Sequence, residues 1–210
     1  MISDKEVLKE AGIARVDAQV IEKDYVLSWL LVAIAESDLR GELVFKGGTA
    51  LKKVYYEEYR FSEDLDFTLR QDLPHDDLVE GFKAILPSLR QRVDLDLQLH
   101  SAVKSASRST KLEVSYLGPL LVKLRRRRLN IDFTRGELLL DEPVEGLLCA
   151  PYSDYPTYVA LPTYTIQEIL TEKLCALIGR SRPLRRVLDL RVWLCGHHFL
   201  GTQLRSQMSA

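Results

Sequence analysis

The sequence predicts a mixed α/β fold of the α+β kind, with helices flanking a small mixed sheet. Short apolar runs typical of strands fall in the middle of the chain, whereas helical periodicity dominates both ends. The 210 residues, 46% of them hydrophobic, can bury one core and contain no internal repeat or low-complexity tract. We expect a core with amino-terminal helices over residues 1–140, and a helical part over residues 141–210 that completes its cleft.

Two helices are expected at the amino terminus. Ser3 and Glu6 have the S-x-x-E spacing of a capping box, which predicts a first helix that Gly12 ends. Apolar residues recurring at helical spacing predict a second helix from about Asp17 to Glu36.

Strands are expected where apolar or alternating runs lie between turns, at residues 43–45, 65–69, 93–100, 110–117 and about 126–134. Further helices are expected at residues 49–56, 76–92, 165–180 and 185–195. Pro87 should end or kink the helix over 76–92, because proline lacks a backbone donor and clashes with the preceding turn.

The net charge, the cysteines and the amino-terminal sequence exclude several classes of function. A formal net charge of -1 excludes a protein that coats nucleic acid by its total charge, so a local patch must hold any such partner. Three cysteines without a CxxC pair indicate a reducing compartment. The amino terminus is charged at once, and the apolar run at residues 29–35 is too short to span a bilayer. We therefore expect a cytoplasmic protein with no membrane partner.

A glycine turn separates a predicted strand from a predicted helix at Gly47, Gly48 and Thr49. Two glycines let the backbone approach a ligand closely, and the N–H groups that open the helix can face phosphate oxygens. The Thr49 hydroxyl adds a further polar group. A plain strand-to-helix turn would have the same glycines, so the turn alone does not decide the function.

Asp64 and Asp66 lie two residues apart on a predicted strand, so their side chains leave the same face. Two such carboxylates repel by about 4 kcal/mol at a separation of about 4 Å and an effective dielectric of about 20. A metal ion offsets this repulsion, and Mg²⁺ prefers one or two carboxylates together with waters and phosphates. Alternatively, both aspartates are solvated at a sheet edge, or Arg60 neutralises them.

A second Asp-x-Asp, formed by Asp94 and Asp96, has no glycine turn before it. It alternates with apolar residues, which predicts the solvated face of an ordinary strand. The first pair differs because a strand, a glycine turn and a helix precede it. This order predicts a phosphate-binding turn beside a metal site.

The stretch at residues 45–67 reads FKGGTALKKVYYEEYRFSEDLDF, residues 22–25 read EKDY, and residues 167–177 read QEILTEKLCAL. These three motifs resemble the signature of the AbiEii/AbiGii-type nucleotidyltransferase toxin family, within the DNA polymerase β-like nucleotidyltransferase superfamily. The similarity covers about residues 20–70 and 163–194. It implies a polymerase β-like core and a metal-dependent enzyme that transfers a nucleotide from an NTP.

The resemblance also implies roles for individual residues. Mg²⁺ is expected at Asp64, Asp66 and Asp132, the last being the candidate for the superfamily's third carboxylate and for the acceptor of the attacking hydroxyl's proton. Asp132 alternatively lies on an exposed sheet face. Nucleotide binding is expected at Lys46, Gly47, Gly48, Thr49, Arg60, Ser62 and Arg180.

The predicted helix over 165–180 contributes Lys173, in otherwise apolar surroundings, and Arg180 seven residues later shares nearly its face. Cations there could neutralise charge on a triphosphate. The family's lysine at this position is an active-site residue, so Lys173 is expected to be catalytic. Asp189 matches the second aspartate of the family's RD-x-x-DL element, whereas Arg186 stands where the first would be. Asp189 is either catalytic or a plain helix-surface residue.

The run of arginines at residues 125–128 predicts an RNA contact, since arginine binds phosphate bidentately. If the run continues the strand of Asp132, Arg126 and Arg128 share its face, and Arg185 extends the patch. A solvated basic strand is the alternative. By resemblance, the protein is the toxin of a toxin–antitoxin pair, the acceptor is RNA, in particular tRNA, and the partner is a cognate antitoxin. A metal-dependent nuclease or phosphohydrolase, and a non-catalytic nucleotide- or RNA-binding relative, remain as alternatives.

Overall fold

The structure is a computed structural model that describes residues 1–105, 109–120 and 126–179. The chain divides into two compact units, Met1–Tyr164 and Thr165–Ala210. In the first unit, a mixed sheet of seven strands and four α-helices can be described. In the second unit, the described part is one helix, α5, at Ile166–Gly179.

The helices of the first unit are α1 at Asp4–Ala14, α2 at Ala18–Ala35, α3 at Gly47–Ala50 and α4 at His75–Val93. A 3₁₀-helix at Asp38–Gly41 precedes the sheet, and a π-helix at Leu51–Tyr55 continues directly from α3. Side-chain caps begin α1 and α2, because Ser3 and Asp17 accept hydrogen bonds from the backbone N–H groups of Glu6 and Gln19.

The strands are β1 at Leu43–Lys46, β2 at Asp64–Leu69, β3 at Asp96–Lys104, β4 at Ser109–Leu117, β5 at Arg127–Thr134, β6 at Val144–Leu147 and β7 at Ala160–Thr163. Their order in the sheet is β3-β4-β5-β2-β1-β7-β6. β2 pairs with β5, and β1 with β7, in parallel, and the other neighbours are antiparallel. The mixed α/β class predicted from the sequence is therefore confirmed.

The two faces of the central strands differ in chemistry. Leu65 and Phe67 of β2 and Ile131 and Phe133 of β5 are buried, and the two phenylalanine rings stack with their centroids 5.5 Å apart. Successive side chains on a strand alternate between faces, so the residues between them point the other way. That opposite face carries the aspartates of β2 and β5.

Three predictions about element ends were wrong. Gly12 does not end α1, which continues to Ala14, because the left-handed turn is made by Arg15 at φ 54°. Pro87 does not end α4, which continues to Val93, since buried apolar residues on both sides of it hold the helix together; the predicted kink stays a prediction. Asp94 is not on a strand: it caps α4 in the left-handed conformation at φ 55°, so β3 begins only at Asp96.

Strands β6 and β7 were not predicted. Each has four residues, and they contain Gly146 and Pro162, two residue types that are depleted in strands. β6 forms the edge of the sheet, whereas β7, which contains Pro162, lies between β1 and β6. Within the described residues, no helix combines the length and the apolar content needed to cross a membrane.

Candidate active site

The glycine turn packs directly against the first aspartate pair. β1 ends at Lys46, whose Cα partner on β2 is Asp66, so the following turn lies beside that carboxylate. Gly47 has φ +82°, and a Cβ placed there would approach the Asp66 side chain to less than 3.0 Å. Only glycine meets both conditions, because other residues rarely adopt this φ and all of them carry a Cβ.

The rest of the turn contacts the segment that leads into β2. The Thr49 hydroxyl donates to the backbone carbonyl of Asp64 at 2.5 Å. A Cβ on Gly48 would lie 3.2 Å from the Ser62 hydroxyl and 3.6 Å from the Arg60 guanidinium. The structure thus brings together the turn and the predicted nucleotide-binding residues Arg60 and Ser62.

The predicted carboxylates of β2 and β5 lie side by side. In the parallel register, Asp64 is the Cα partner of Asn130 and Asp66 that of Asp132. The Asn130 amide donates to Asp64 Oδ1 at 3.2 Å, which orients that carboxylate. Asn130 was not predicted as a site residue, although its position two residues before Asp132 places both on one face.

The electrostatics of Asp132 reflect this proximity. Burial raises the pKa of its carboxyl group, and the negative charge of Asp64 raises the pKa further. The Lys111 ammonium, 3.7 Å from Asp132 Oδ2, acts in the opposite direction. Asp132 is therefore a carboxylate whose affinity for a proton exceeds that of an ordinary aspartate.

The oxygen donors on this face suit a hard cation. Within the described part of the chain, no group of three or more His, Cys, Asp or Glu side chains is arranged to hold a metal ion. Asp64 and Asp66 on one strand still provide the one or two carboxylates that Mg²⁺ uses when phosphates and waters complete its coordination. The residues present fit a metal that binds together with its substrate.

Lys46 is buried, and its ammonium is ion-paired with Glu137. The same Glu137 carboxylate accepts a hydrogen bond from Thr68, whose hydroxyl lies 2.7 Å from that of Tyr164. Glu137 follows β5 in an irregular segment, and no signal in the sequence identified it. The predicted contact of Lys46 with nucleotide stays a prediction.

The arginines at the start of β5 have separate partners. Arg126 is ion-paired with Asp96, and Arg128 donates to both oxygens of Glu113 at 3.0 and 3.2 Å. Arg127 lies 3.2 Å from the buried carboxylate of Glu22.

A cleft of about 240 Å³ runs between the start of α2 and β5. Its lining includes Lys23, Ser62, Arg127 and Arg128. Lys23 and Arg127 were not predicted as residues of such a surface, although Lys23 belongs to the EKDY motif. The cleft brings three cations close to the residues that precede Asp64, and Glu63, which also lines it, is ion-paired with Lys23.

Lys173 lies half-buried on α5, in the second unit, and its catalytic role stays a prediction. The predicted site residues Arg180, Arg185 and Asp189, the neighbouring Arg186, and the predicted helix over 185–195 lie outside the described residues.

Fold and site together define a mixed α/β domain in which a glycine turn at the end of a strand packs against paired carboxylates. The profile of the family described as "Nucleotidyl transferase AbiEii toxin, Type IV TA system" matches residues 29–207, and the chain belongs to this family. The family predicted from the three motifs is thereby confirmed.

A solved structure, that of JHP933 from Helicobacter pylori, has a similar fold, with a TM-score of 0.55 and 20% sequence identity. The similarity covers 83% of this chain and 65% of that protein, so the chain spans about two thirds of its length. Comparison with curated proteins gives no match.

Proposed function

We propose that the protein is a metal-dependent nucleotidyltransferase that moves a nucleotide from an NTP to an RNA hydroxyl and acts as the toxin of a toxin–antitoxin pair. Family membership supports the reaction class. The observation that carries the proposal for this chain is the contact between Gly47 and the Asp66 carboxylate, which leaves no room for a side chain. A backbone so close to a carboxylate suits a triphosphate bound beside its metal ion.

The reaction requires the acceptor oxygen to bond to the α-phosphorus while the bond to pyrophosphate breaks. The backbone N–H groups at Gly48 and Thr49 hold the triphosphate, and Lys46, Arg60 and Ser62 assist. Asp64 and Asp66, with Asp132 beside them, would hold Mg²⁺, which would stabilise the charge that develops on the phosphoryl oxygens.

Asp132 accepts the proton of the attacking hydroxyl. Its position beside Asp66 in the parallel register supports this role, because a general base must lie within reach of the hydroxyl that it deprotonates. In the proposal, Lys173 and Asp189 keep the catalytic roles, and Arg180 the nucleotide-binding role, that the family motifs imply.

The acceptor is an RNA, in particular the end of a tRNA, and it approaches along the cleft of Lys23, Arg127 and Arg128. Arg128 is 55% exposed and its partner Glu113 lies at the surface of the sheet, and such exposed pairs contribute little to stability. A phosphate can therefore replace Glu113 on the guanidinium and bind it bidentately. Arg126 and Arg185 are the other arginines proposed for this contact. A cognate antitoxin is the protein partner in the proposal.

A labelled-nucleotide assay tests the reaction. Purified protein is incubated with each α-³²P-labelled NTP, Mg²⁺ and total tRNA, with parallel samples containing EDTA or Asp66→Asn. Label on intact RNA, lost in both parallel samples, is the expected result. Shortened RNA would identify a nuclease instead. The absence of both labelled RNA and calorimetric NTP binding would identify a non-catalytic relative.

A growth assay tests the toxin role separately. Expression of the wild type is expected to arrest growth, whereas Asp64→Ala and Lys173→Ala are expected to permit it. Equal arrest by all three at matched protein levels would contradict a catalytic toxin.

A further inference from the structure

A cavity of about 630 Å³ lies between the first two helices and the segment that follows the glycine turn. One wall comes from the end of α1 and the start of α2, with the aliphatic side chains of Ile13, Val16 and Ile21. The opposite wall comes from the π-helix and the turn at residues 57–61. Its volume lies within the range of about 300–1,000 Å³ that small-molecule sites occupy.

The floor of the cavity is a neutralised ion pair. Asp24 and Lys53 are almost fully buried, with Lys53 Nζ 2.6 Å from Asp24 Oδ2. The Tyr152 hydroxyl donates to the same oxygen at 2.6 Å. Since these groups satisfy one another, the floor has no uncompensated charge that would call for a metal ion or a phosphate there.

Lys52 holds in place the cavity wall that is formed by the turn at residues 57–61. Its ammonium donates to the backbone carbonyls of Glu57 and Tyr59 at 3.0 Å each and lies 4.0 Å from the centroid of the Phe61 ring. Burial lowers the pKa of this lysine. The clamp holds the aromatic residues Tyr59 and Phe61 in place, so the cavity is formed before a ligand binds.

Charge decides which part of a substrate suits the cavity. Its lining contains four acids (Glu10, Asp24, Glu57 and Glu58) and three bases (Lys52, Lys53 and Arg60), an excess of one negative charge. A triphosphate is disfavoured there, whereas a neutral group with an apolar surface and polar edges fits the aliphatic and aromatic walls.

Arg60 connects the cavity with the proposed phosphate site. It lines the cavity, and its guanidinium lies 3.6 Å from the position of a Cβ on Gly48. Its cation also lies 5.5 Å from the centroid of the Tyr59 ring. A ligand in the cavity would therefore have a phosphate-binding arginine at the exit that leads to the glycine turn.

We propose that this cavity binds the nucleoside part of a substrate, base and ribose, with the attached phosphate directed past Arg60 towards Gly48. The proposal rests on the proposed function, because it assigns the cavity to a nucleotide substrate of the same site. The nucleoside belongs either to the donor NTP or to the terminal residue of the RNA acceptor, and the two sources present the same chemistry.

The test fills the cavity with a larger side chain and measures the KM values for NTP and for RNA. Ala14→Trp adds an indole at the wall, and Ala84→Trp makes the same change on the exposed side of α4 as the control. Ala14→Trp is expected to raise one KM by about tenfold or more and leave the other within about twofold, whereas Ala84→Trp changes neither. A raised KM for NTP assigns the donor base, and a raised KM for RNA assigns the acceptor nucleoside.

A second variant keeps the proposal testable if Ala14→Trp does not fold. Ile13→Asn replaces an exposed side chain of the wall, so it should fold even if Ala14→Trp does not, and it is expected to change the same KM in the same direction. Unchanged KM values for both substrates in a folded cavity variant would overturn the proposal.

Calorimetry with the four nucleoside 5′-monophosphates separates failure of the cavity proposal from failure of the proposed function. Binding that Ala14→Trp or Ile13→Asn weakens supports the cavity even if no transfer is observed with any RNA. If no nucleoside monophosphate binds the wild type, or if both variants bind as well as the wild type, the cavity is not a nucleoside site.

Discussion

The tripeptide Asp-Leu-Asp occurs twice in the chain, at residues 64–66 and 94–96, and the fold gives the two copies unlike surroundings. The first lies on β2, between β1 and β5 in the interior of the sheet. The second spans the end of α4 and the start of the edge strand β3. Its Asp96 is ion-paired with Arg126, whereas Asp94 serves as a helix cap.

The difference shows that neighbouring strands, and not the tripeptide, create a site. Around the first copy, β1 ends in a glycine turn against Asp66, and β5 places Asn130 and Asp132 beside the pair. The second copy has Arg126 beside Asp96 and a helix end at Asp94. In the described residues, the Cα partner of Asp96 on the neighbouring strand is Leu117, which carries no carboxylate. Its charge is compensated, so it has no need of a metal ion.

The largest expected effect is a difference in nucleotide-transfer activity between substitutions in the two Asp-Leu-Asp copies. Asp66→Asn is expected to lower kcat/KM for nucleotide transfer about a thousandfold, because a proposed metal ligand worth about 4 kcal/mol is lost. Asp96→Asn, the same change in the other copy, is expected to leave kcat/KM within about threefold. Steady-state transfer rates on folded proteins give the measurement, and equal losses in the two variants would remove the distinction between the copies.

The glycine turn provides the next contrast, in stability as well as activity. Gly47→Ala is expected to destabilise the protein by about 2 kcal/mol or more, since alanine is strained at φ +82° and its Cβ meets Asp66. Activity is expected to fall about a hundredfold as the carboxylate is displaced. Urea unfolding and transfer rates measure the two effects.

Gly12→Ala is the matched control for that substitution. Gly12 lies within α1, and a Cβ there would meet nothing within 4 Å. Alanine is expected to stabilise the protein by about 0.5–1 kcal/mol through its higher helix propensity. Destabilisation by both alanines would show that the Gly47 effect is not specific to the site.

Substitution of Asn130 tests how much β5 contributes to the site around the Asp-Leu-Asp copy at residues 64–66. Asn130→Ala removes the hydrogen bond to Asp64 and is expected to lower kcat about tenfold, the equivalent of about 1.4 kcal/mol. As a positioning residue, it should also raise the Mg²⁺ concentration that gives half-maximal activity. A lower kcat with an unchanged Mg²⁺ dependence would mean that Asn130 does not act through Asp64.

The sequence predicted those parts of the site that depend on local patterns. The cap at Ser3, the turn at Gly47 and Gly48, and the shared face of Asp64 and Asp66 all follow from spacing within a few residues. It also indicated Asp132 as the third carboxylate, through family resemblance.

Contacts between distant residues were not predictable in the same way. Lys46 and Glu137 are separated by 91 residues, and Glu137 lies outside any regular element. Nothing in the local pattern around either residue indicates the pair, which forms only because the segment after β5 returns to β1. The strand β7 was missed for a related reason, since Pro162 argues against a strand and the pairing of Thr163 with Phe45 is not visible in the local sequence.

The smallest expected effect is the loss of stability on substitution of Arg126, the ion-pair partner of Asp96 in the copy at residues 94–96. Arg126→Gln removes the cation beside Asp96, at side chains that are 28% and 29% exposed, and the expected loss of stability is about 0.2–1 kcal/mol. Transfer to a short substrate without extended RNA should not change, because Asp94 and Asp96 take no part in the reaction. Urea unfolding measures the first effect, and nucleotide transfer to a short oligonucleotide measures the second. If the short-substrate rate instead fell as it does for Asn130→Ala, Arg126 and Asp96 would have to be counted among the groups that organise the active site, and the two Asp-Leu-Asp copies would be linked through β5.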